Sequence, residues 1–186
     1  MNFIGSDFHL NHNRILELCK RPFSTIQEMN DDCIKNINSQ VKSTDSLYFL
    51  GDFYMGKTVD YQATIASWWN KINCQNVYWL LGNHDHISPN DKHKLNELTC
   101  GKFSFIGYYL EFKHERQFVT MMHYPIATWN KCHHGSYMIH GHCHTKSDTP
   151  ITCRRQDVGY DFTKRWVSSL DEVLKGLESQ PFGIHH

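Results

Sequence analysis

The sequence predicts an α/β protein in which helices cover a mixed β-sheet or two packed sheets. Short, nearly continuous apolar runs, typical of buried strands, recur along the chain. Helical spacing of apolar residues separates the early runs, whereas a hairpin pattern and further runs follow in the second half. The chain has 186 residues, 40% apolar and 13% aromatic, which favours a single domain over residues 1–186 with one buried core.

Each predicted strand is an apolar run that stops abruptly at Gly, Asp, Asn or His. These runs cover residues 2–4, 46–50, 77–81, 118–122 and 137–139. One further segment, 108–112, precedes the fourth of these runs, which can be extended to 117–122. The two flank His114-Glu115-Arg116 and therefore predict a hairpin. A last strand is expected near 155–159.

Four helices are predicted from apolar residues at three- and four-residue spacing. Their patterns cover residues 26–41, 59–72, 92–98 and 170–177. A capping box at Ser24 or Thr25 begins the first helix, and Ser88 followed by a proline begins the third. Ser169, with a glutamate three residues later, is expected to cap the last one.

The charge balance limits the classes of function. Nineteen basic and nineteen acidic side chains cancel, so the basic surface of a dedicated nucleic-acid binder is not expected. A nuclease that recruits phosphate through metal ions stays open. No apolar run approaches the ~18 residues of a membrane helix, and the start of the chain has no export signal. Seven cysteines without a C-x-x-C pair favour reduced thiols and a cytoplasmic location.

Polar clusters follow five of the predicted strands. They are Asp7-x-His9, Gly51-Asp52, Gly82-Asn83-His84-Asp85, His123 and Gly141-His142-x-His144. Because ligands gather beyond the carboxyl ends of strands in such sheets, these side chains could form one site. Imidazole together with carboxylate suits manganese, iron, zinc and related ions rather than calcium or magnesium. Seven candidate ligands would serve two ions if one aspartate bridged them.

In this order, D-x-H, G-D, G-N-H-D, H and G-H-x-H, the clusters resemble the calcineurin-like metallophosphoesterase superfamily. The chain is similar in particular to the small single-domain phosphoesterases of bacteria and phages, which implies the cytoplasm of a bacterium or of a phage-infected host cell as its location. The flanking segments Arg21-Pro22-Phe23 and Asp157-Val158-Gly159-Tyr160-Asp161 extend the resemblance over about the whole chain. It implies a four-layer αββα sandwich of two mixed sheets, with a dinuclear metal site at the carboxyl ends of the strands.

The resemblance also implies how the ligands divide between two divalent transition-metal ions. One ion would be held by Asp7, His9 and His144, and the other by Asn83, His123 and His142. Asp52 would bridge the two. Manganese is the first expectation, with iron, zinc, nickel and cobalt as alternatives, because these ligands accept several transition ions.

The implied activity is that of a metal-dependent phosphoesterase, either a phosphodiesterase or a phosphatase. A metal-bridging hydroxide would attack the phosphorus, and His84 would protonate the leaving oxygen with Asp85 orienting its ring. Asn83 and His84 would also contact the substrate. His12 would either contact its phosphate or face solvent.

The expected substrate is a small phosphoester, with nucleotides among the candidates and no membrane partner. Two alternatives stay open: a nuclease acting on nucleic-acid phosphodiesters, and a non-catalytic scaffold that binds protein partners. The neutral charge argues against the first. The presence of His84 argues against the second, since such scaffolds typically lack this histidine.

The sequence also predicts the structural roles of three residues in or near the motifs. Asn11 stands where the similar proteins commonly have glycine, and Asn tolerates the left-handed backbone that such a turn needs. Asp161 would either support a ligand histidine or stabilise a turn. Cys143 lies between two candidate ligands and is expected to be buried, since extended backbone would point it away from them.

Overall fold

The computed structural model describes residues 1–144 and 153–182, which build two mixed β-sheets with helices around them. Within these residues the strands are β1 (Asn2–Gly5), β2 (Ser46–Phe49), β3 (Asn76–Leu80), β4 (Phe103–Gly107), β5 (Tyr109–His114), β6 (Gln117–Met122), β7 (Tyr137–His140), β8 (Arg155–Asp157) and β9 (Ser168–Ser169). The predicted strands and the hairpin are confirmed. β4 and the two-residue β9 were not predicted.

The α-helices of the described residues are α1 (Ile15–Leu18), α2 (Ile26–Gln40), α3 (Tyr61–Trp69), α4 (Lys92–Leu98), α5 (Tyr160–Thr163) and α6 (Leu170–Leu177). Thr25 caps α2, because its side chain accepts a hydrogen bond from the Glu28 backbone N–H at 3.1 Å. The side-chain cap predicted at Ser169 is wrong: Ser169 pairs with Phe3 in the first sheet, and its side chain makes no capping bond. No helix in the described ranges has both the length and the apolar character needed to span a membrane.

The prediction for the start of α3 also needs correction. Val59 is fully exposed, and the helix begins after Asp60, whose side chain accepts a hydrogen bond from the Ala63 backbone N–H at 3.0 Å. The predicted helix therefore began two residues too early, because an isolated valine fits the apolar spacing without contacting the core. The short helices α1 and α5 carry too few apolar residues to show a period.

Strand order explains why the polar clusters meet. The first sheet has the order β4-β3-β2-β1-β9, in which only β9 is antiparallel to its neighbour. The second has the order β5-β6-β7-β8, with β5 antiparallel. A parallel bridge between Ser6 and Gly159 joins the first sheet to the second just beyond β1 and β8. The carboxyl ends of the parallel strands of both sheets therefore face one shared edge.

Three hydrophobic clusters hold these layers together. Helices α2, α3 and α4 cover the outer face of the first sheet, where Phe53 and Trp69 stack at 4.2 Å. Between the sheets, Ile4 and Leu50 meet Ile139 and the apolar face of α6. The outer face of the second sheet is covered by a smaller cluster around Trp129 and a 3₁₀ turn, Cys132–His134. Each large side chain buried in this way contributes about 1.5–3 kcal/mol to the free energy of folding. The predicted architecture of two mixed sheets flanked by helices is confirmed.

Candidate metal centre

Two buried aspartates lie at the middle of the converging clusters. Asp52 Oδ2 is 3.6 Å from His9 Nε2 and 3.5 Å from His123 Nε2. Asp7 Oδ1 is 3.9 Å from the Nε2 atoms of both His9 and His144. Asp7, His9 and His144 form one group of ligand atoms, and Asp7, Asp52 and His123 form a second. The position of Asp52 between His9 and His123 suits a carboxylate shared by two ions.

Asn83 and His142 lie on the His123 side of this centre. Asn83 Oδ1 is 3.0 Å from His123 Nε2, and the rings of His123 and His142 are 5.0 Å apart. The opposite nitrogen of His123, Nδ1, is 2.7 Å from the Leu50 carbonyl oxygen, so it donates to that oxygen and leaves Nε2 directed at the centre. The structure therefore brings all seven predicted ligands together.

Most of these side chains are placed by a sharp change of backbone direction where the strand ends. Left-handed φ angles occur at Asp7 (58°), His9 (52°), Asp52 (59°), His142 (69°) and His144 (53°). This conformation costs an L-residue about 1–2 kcal/mol, and such strain concentrates at functional sites. Asn11 has a φ of 60°, which confirms the left-handed turn predicted there.

Two motif glycines make room for the aspartates. A Cβ atom at Gly82 would collide with Asp52 Oδ1, and one at Gly141 would collide with the Ser6 hydroxyl and Asp7 Oδ2. The glycines of G-N-H-D and G-H-x-H therefore let a carboxylate from the neighbouring strand end lie against the bare backbone. Because Asp7 lies against Gly141, the backbone N–H of the next residue, His142, can donate to both oxygens of Asp7, at 3.2 and 3.1 Å.

Burial is the largest influence on the pKa values of Asp7 and His9 at the centre. Burial raises the pKa of Asp7, and the nearby Asp52 charge adds to this effect against the opposing influence of two histidines. Burial also lowers the pKa of His9 well below its usual value, so that its ring is neutral at pH 7. Both ring nitrogens of His9 are buried without a hydrogen-bond partner among the described residues. Because an unsatisfied buried nitrogen is costly, this donor set fits divalent transition-metal ions.

His144 is held from behind by a buried ion pair. Asp161 Oδ2 lies 2.6 Å from His144 Nδ1, and the same carboxylate accepts two hydrogen bonds from Arg21 at 2.9 and 2.8 Å. Burial tends to raise the pKa of Asp161, but the bonds to His144 and Arg21 lower it to about 2. Burial opposes protonation of His144, yet Asp161, Cys19 and Asp7 raise its pKa to about 10.

Of the two roles considered for Asp161, the structure thus shows a contact that supports His144, one of the predicted ligands. Sequence reasoning missed Arg21, which also donates to the backbone carbonyls of Asp7 and Phe8 at 2.8 and 2.9 Å. The only signal in the sequence was its position in Arg21-Pro22-Phe23, a flanking segment that carries no ligand. Arg21 therefore binds both the backbone of the predicted ligand Asp7 and the carboxylate of Asp161, which supports the predicted ligand His144.

His84 lies at the edge of the centre. Its Nε2 atom is 4.0 Å from Asp52 Oδ2, its backbone N–H donates to Asp52 Oδ1 at 2.9 Å, and its side chain is 34% exposed. The predicted contact between Asp85 and the His84 ring is wrong, since no hydrogen bond joins them in the described part of the chain. Asp85 instead accepts from the backbone N–H groups of Gly82, Asp52 and Phe53 at 2.8–3.0 Å. Buried behind the site, it stabilises the turn that carries Asp52.

A cavity of about 350 Å³ opens onto the centre. It is lined by His9, His12, Ile15, Leu18, Cys19, His84, His142, Cys143 and His144. His12 faces this cavity, its Nδ1 atom is buried without a partner among the described residues, and burial lowers its pKa. Cys143 is partly exposed rather than buried, because the left-handed turns on either side of it replace the expected extended backbone.

Comparison with known proteins agrees with this geometry. Fold and site together define a metallophosphoesterase-like protein with candidate sites for divalent metal ions. The chain belongs to the calcineurin-like phosphoesterase family, whose sequence profile matches residues 4–181. The predicted resemblance to this family is therefore confirmed, and membership supports a metal-dependent phosphoester hydrolase.

Two proteins are similar to this chain over most of its length. The uncharacterized protein MJ1445 of Methanocaldococcus jannaschii is 32% identical over 181 residues, which cover 95% of this chain and 90% of that protein. The crystal structure of AQ665, a protein of unknown function from Aquifex aeolicus, has a TM-score of 0.69 and 21% sequence identity. That alignment covers 94% of this chain and 98% of AQ665. At this identity the likeness shows the fold alone.

Proposed function

We propose that this protein hydrolyses a small phosphodiester with the help of two divalent transition-metal ions. The observation that carries the proposal is the position of Asp52 within 3.6 Å of two histidines from different sheets. A carboxylate in this position could contact two ions at once, and family membership supports phosphoester chemistry.

The residues that would hold the ions follow from the two groups of side chains around the aspartates. Asp7, His9 and His144 would hold one ion, Asn83, His123 and His142 would hold the other, and Asp52 would be shared. Bound ions of this type polarise a phosphoryl group and lower the pKa of water toward neutrality. The folded chain contributes by fixing these ligands before substrate binds, through the Asp161 contact to His144 and the Asp85 contacts behind Asp52.

His84 is the proposed general acid. Its ring lines the cavity beside Asp52 and is partly open to solvent, so it can meet the leaving oxygen of a bound ester and exchange protons with water. Its backbone N–H is anchored on Asp52, which limits the freedom of the ring relative to the centre. His12 and Asn83 would bind phosphoryl oxygens of the substrate.

The lining of the cavity supports a diester over a monoester. Among the described residues that line it, none is lysine or arginine, whereas Ile15 and Leu18 form an apolar wall. A monoester dianion would gain from a positive side chain. A diester carries a single charge and a second organic group, and the apolar wall offers that group a surface to contact.

A substrate panel on metal-stripped protein tests the proposal. We expect restored Mn²⁺ or another transition ion to support hydrolysis of bis-p-nitrophenyl phosphate faster than of p-nitrophenyl phosphate, with no activity in excess chelator. Activity that persists in the chelator would contradict the metal requirement. Faster cleavage of single- or double-stranded DNA than of the small diester would favour the nuclease alternative.

A histidine variant tests the proposed acid. His84→Gln should retain the metal content of the parent while its kcat falls about 10²–10⁴-fold, the usual contribution of general acid catalysis. His86→Gln is the matched control, because His86 is exposed and lies outside the cavity lining. An unchanged kcat in His84→Gln would remove this residue from the mechanism.

A further inference from the structure

A further cluster of ligand atoms reaches the cavity through Cys143. A nitrogen of His140, the Cys143 sulfur and a carboxylate oxygen of Asp157 all lie within 4.8 Å of one another. None of the three belongs to the set of seven residues around Asp7 and Asp52. His140 ends β7 and Asp157 ends β8, and the two positions are direct partners in the parallel pairing of these strands.

The two buried members are already fixed by backbone contacts. His140 is 2% exposed, and its Nδ1 donates to the Gly141 carbonyl oxygen at 2.9 Å. This bond sets the tautomer in which Nε2 carries the lone pair. Asp157 is 5% exposed, and its Oδ1 accepts from the Gly159 backbone N–H at 2.7 Å, so Oδ2 can take another ligand. Oriented donors with such support are expected of a metal site.

Cys143 determines which metal ion the cluster would prefer and connects the cluster to the cavity. It follows His140 by three residues, is partly exposed and lines the cavity. A thiolate is a soft ligand, and combined with imidazole and carboxylate it favours zinc over manganese or magnesium. An ion could therefore enter through the cavity and meet the sulfur first.

We propose that His140, Cys143 and Asp157 bind a zinc ion separate from the catalytic pair. Three protein ligands leave the fourth tetrahedral position for water. The ion would tie the turn that carries His142 and His144 to the end of β8. Although it lacks the four protein ligands of a closed structural zinc site, this ion would act by positioning, since it would secure the turn that carries two ligands of the catalytic pair.

Cobalt substitution tests this site without relying on activity. Metal-stripped protein loaded with Co²⁺ should show the near-ultraviolet charge-transfer absorption of a cobalt–thiolate bond, and Cys143→Ser should lose it. Cys19→Ser is the matched control, because Cys19 lines the same cavity and lies 3.6 Å from His144. Zinc-loaded Cys143→Ser and Asp157→Asn should each hold one equivalent of zinc less than the parent protein and Cys19→Ser.

Three outcomes would overturn the proposal: no thiolate band in the parent protein, a band that survives in Cys143→Ser, or a band lost in Cys19→Ser instead. Should the variants fail to fold, alkylation of the parent protein gives the answer. Zinc should protect Cys143 from iodoacetamide, as measured by peptide mass spectrometry, and equal labelling with and without zinc would refute the site. Asp52→Asn should keep the band, which separates this proposal from that for the catalytic pair.

Discussion

Replacing Asp161 by asparagine tests whether the ion pair behind His144 prepares the metal centre. The carboxylate makes two hydrogen bonds with Arg21 and one with His144, and the side chains of Asp161 and Arg21 are both fully buried. Asparagine keeps the shape but removes the negative charge. The Arg21 guanidinium would then be buried without a counter-ion, and His144 would lose the group that orients its ring.

Two losses can be estimated from these contacts. Breaking a buried ion pair by removing one partner costs about 3–5 kcal/mol, and the lower value applies because asparagine still offers one acceptor oxygen. Against a total stability of about 5–15 kcal/mol, the variant should remain folded but be clearly weakened. Loss of a carboxylate that supports a ligand histidine lowers metal affinity about 10–100-fold, equivalent to roughly 1.4–2.7 kcal/mol.

Urea unfolding of the metal-stripped proteins would measure the first loss, and competition with a chelator the second. Leu174→Ala is the control, because this buried residue of α6 lies between the sheets and its truncation costs about 2–5 kcal/mol. We expect both variants to unfold at lower urea and only Asp161→Asn to release metal more readily. If Asp161→Asn binds metal as tightly as the parent protein, the contact does not prepare the site.

The remaining predictions concern pH, the Asp52 turn and helix capping. Because the folded-state pKa of Asp161 is about 2 and the unfolded value is ~3.9, its stabilising contribution is present above pH ~3.9 and is lost as the pH falls toward 2. Urea midpoints of metal-stripped protein across this range should fall less steeply in Asp161→Asn, and identical slopes would contradict the assignment. Asp85→Asn should lose bound metal by elemental analysis, since the amide cannot accept all the backbone bonds that hold the turn. Retained metal with low kcat, the pattern expected of His84→Gln, would instead favour a direct role beside that histidine. Thr25→Ala should cost about 1 kcal/mol in urea unfolding and Ser169→Ala nearly nothing, because only Thr25 makes a capping bond, and equal losses would refute this difference.

Strands could be predicted wherever an apolar run ended in a polar motif. This signal identified β1, β2, β3, β6 and β7, each of which is followed by a site residue. It did not identify β4, which ends in Gly107 next to the start of the following hairpin and carries no such motif. The pairing of Ser169 with Phe3 is also invisible in the sequence, since a contact between distant segments leaves no local period.

That the seven candidate ligands lie together was predictable because the spacing of each motif is local and each motif follows a strand. Arg21 and Asp161 were harder to assign, because they meet across 140 positions of sequence and only the folded chain brings them together. The role of Asp85 was mistaken for a related reason. Adjacency to His84 suggested a contact between side chains, whereas a buried carboxylate is more strongly attracted to the unpaired backbone N–H groups around it.

Because the backbone is left-handed at His9 and His142, a histidine at either position lowers the folding stability of the protein. A glycine at either position would relieve the conformational strain, at the loss of an imidazole. Selection for the proposed hydrolysis would therefore work against selection for folding stability at the same codons. In a descendant that did not use the proposed metal ions, these positions should drift toward glycine early, giving a more stable sandwich without the candidate site.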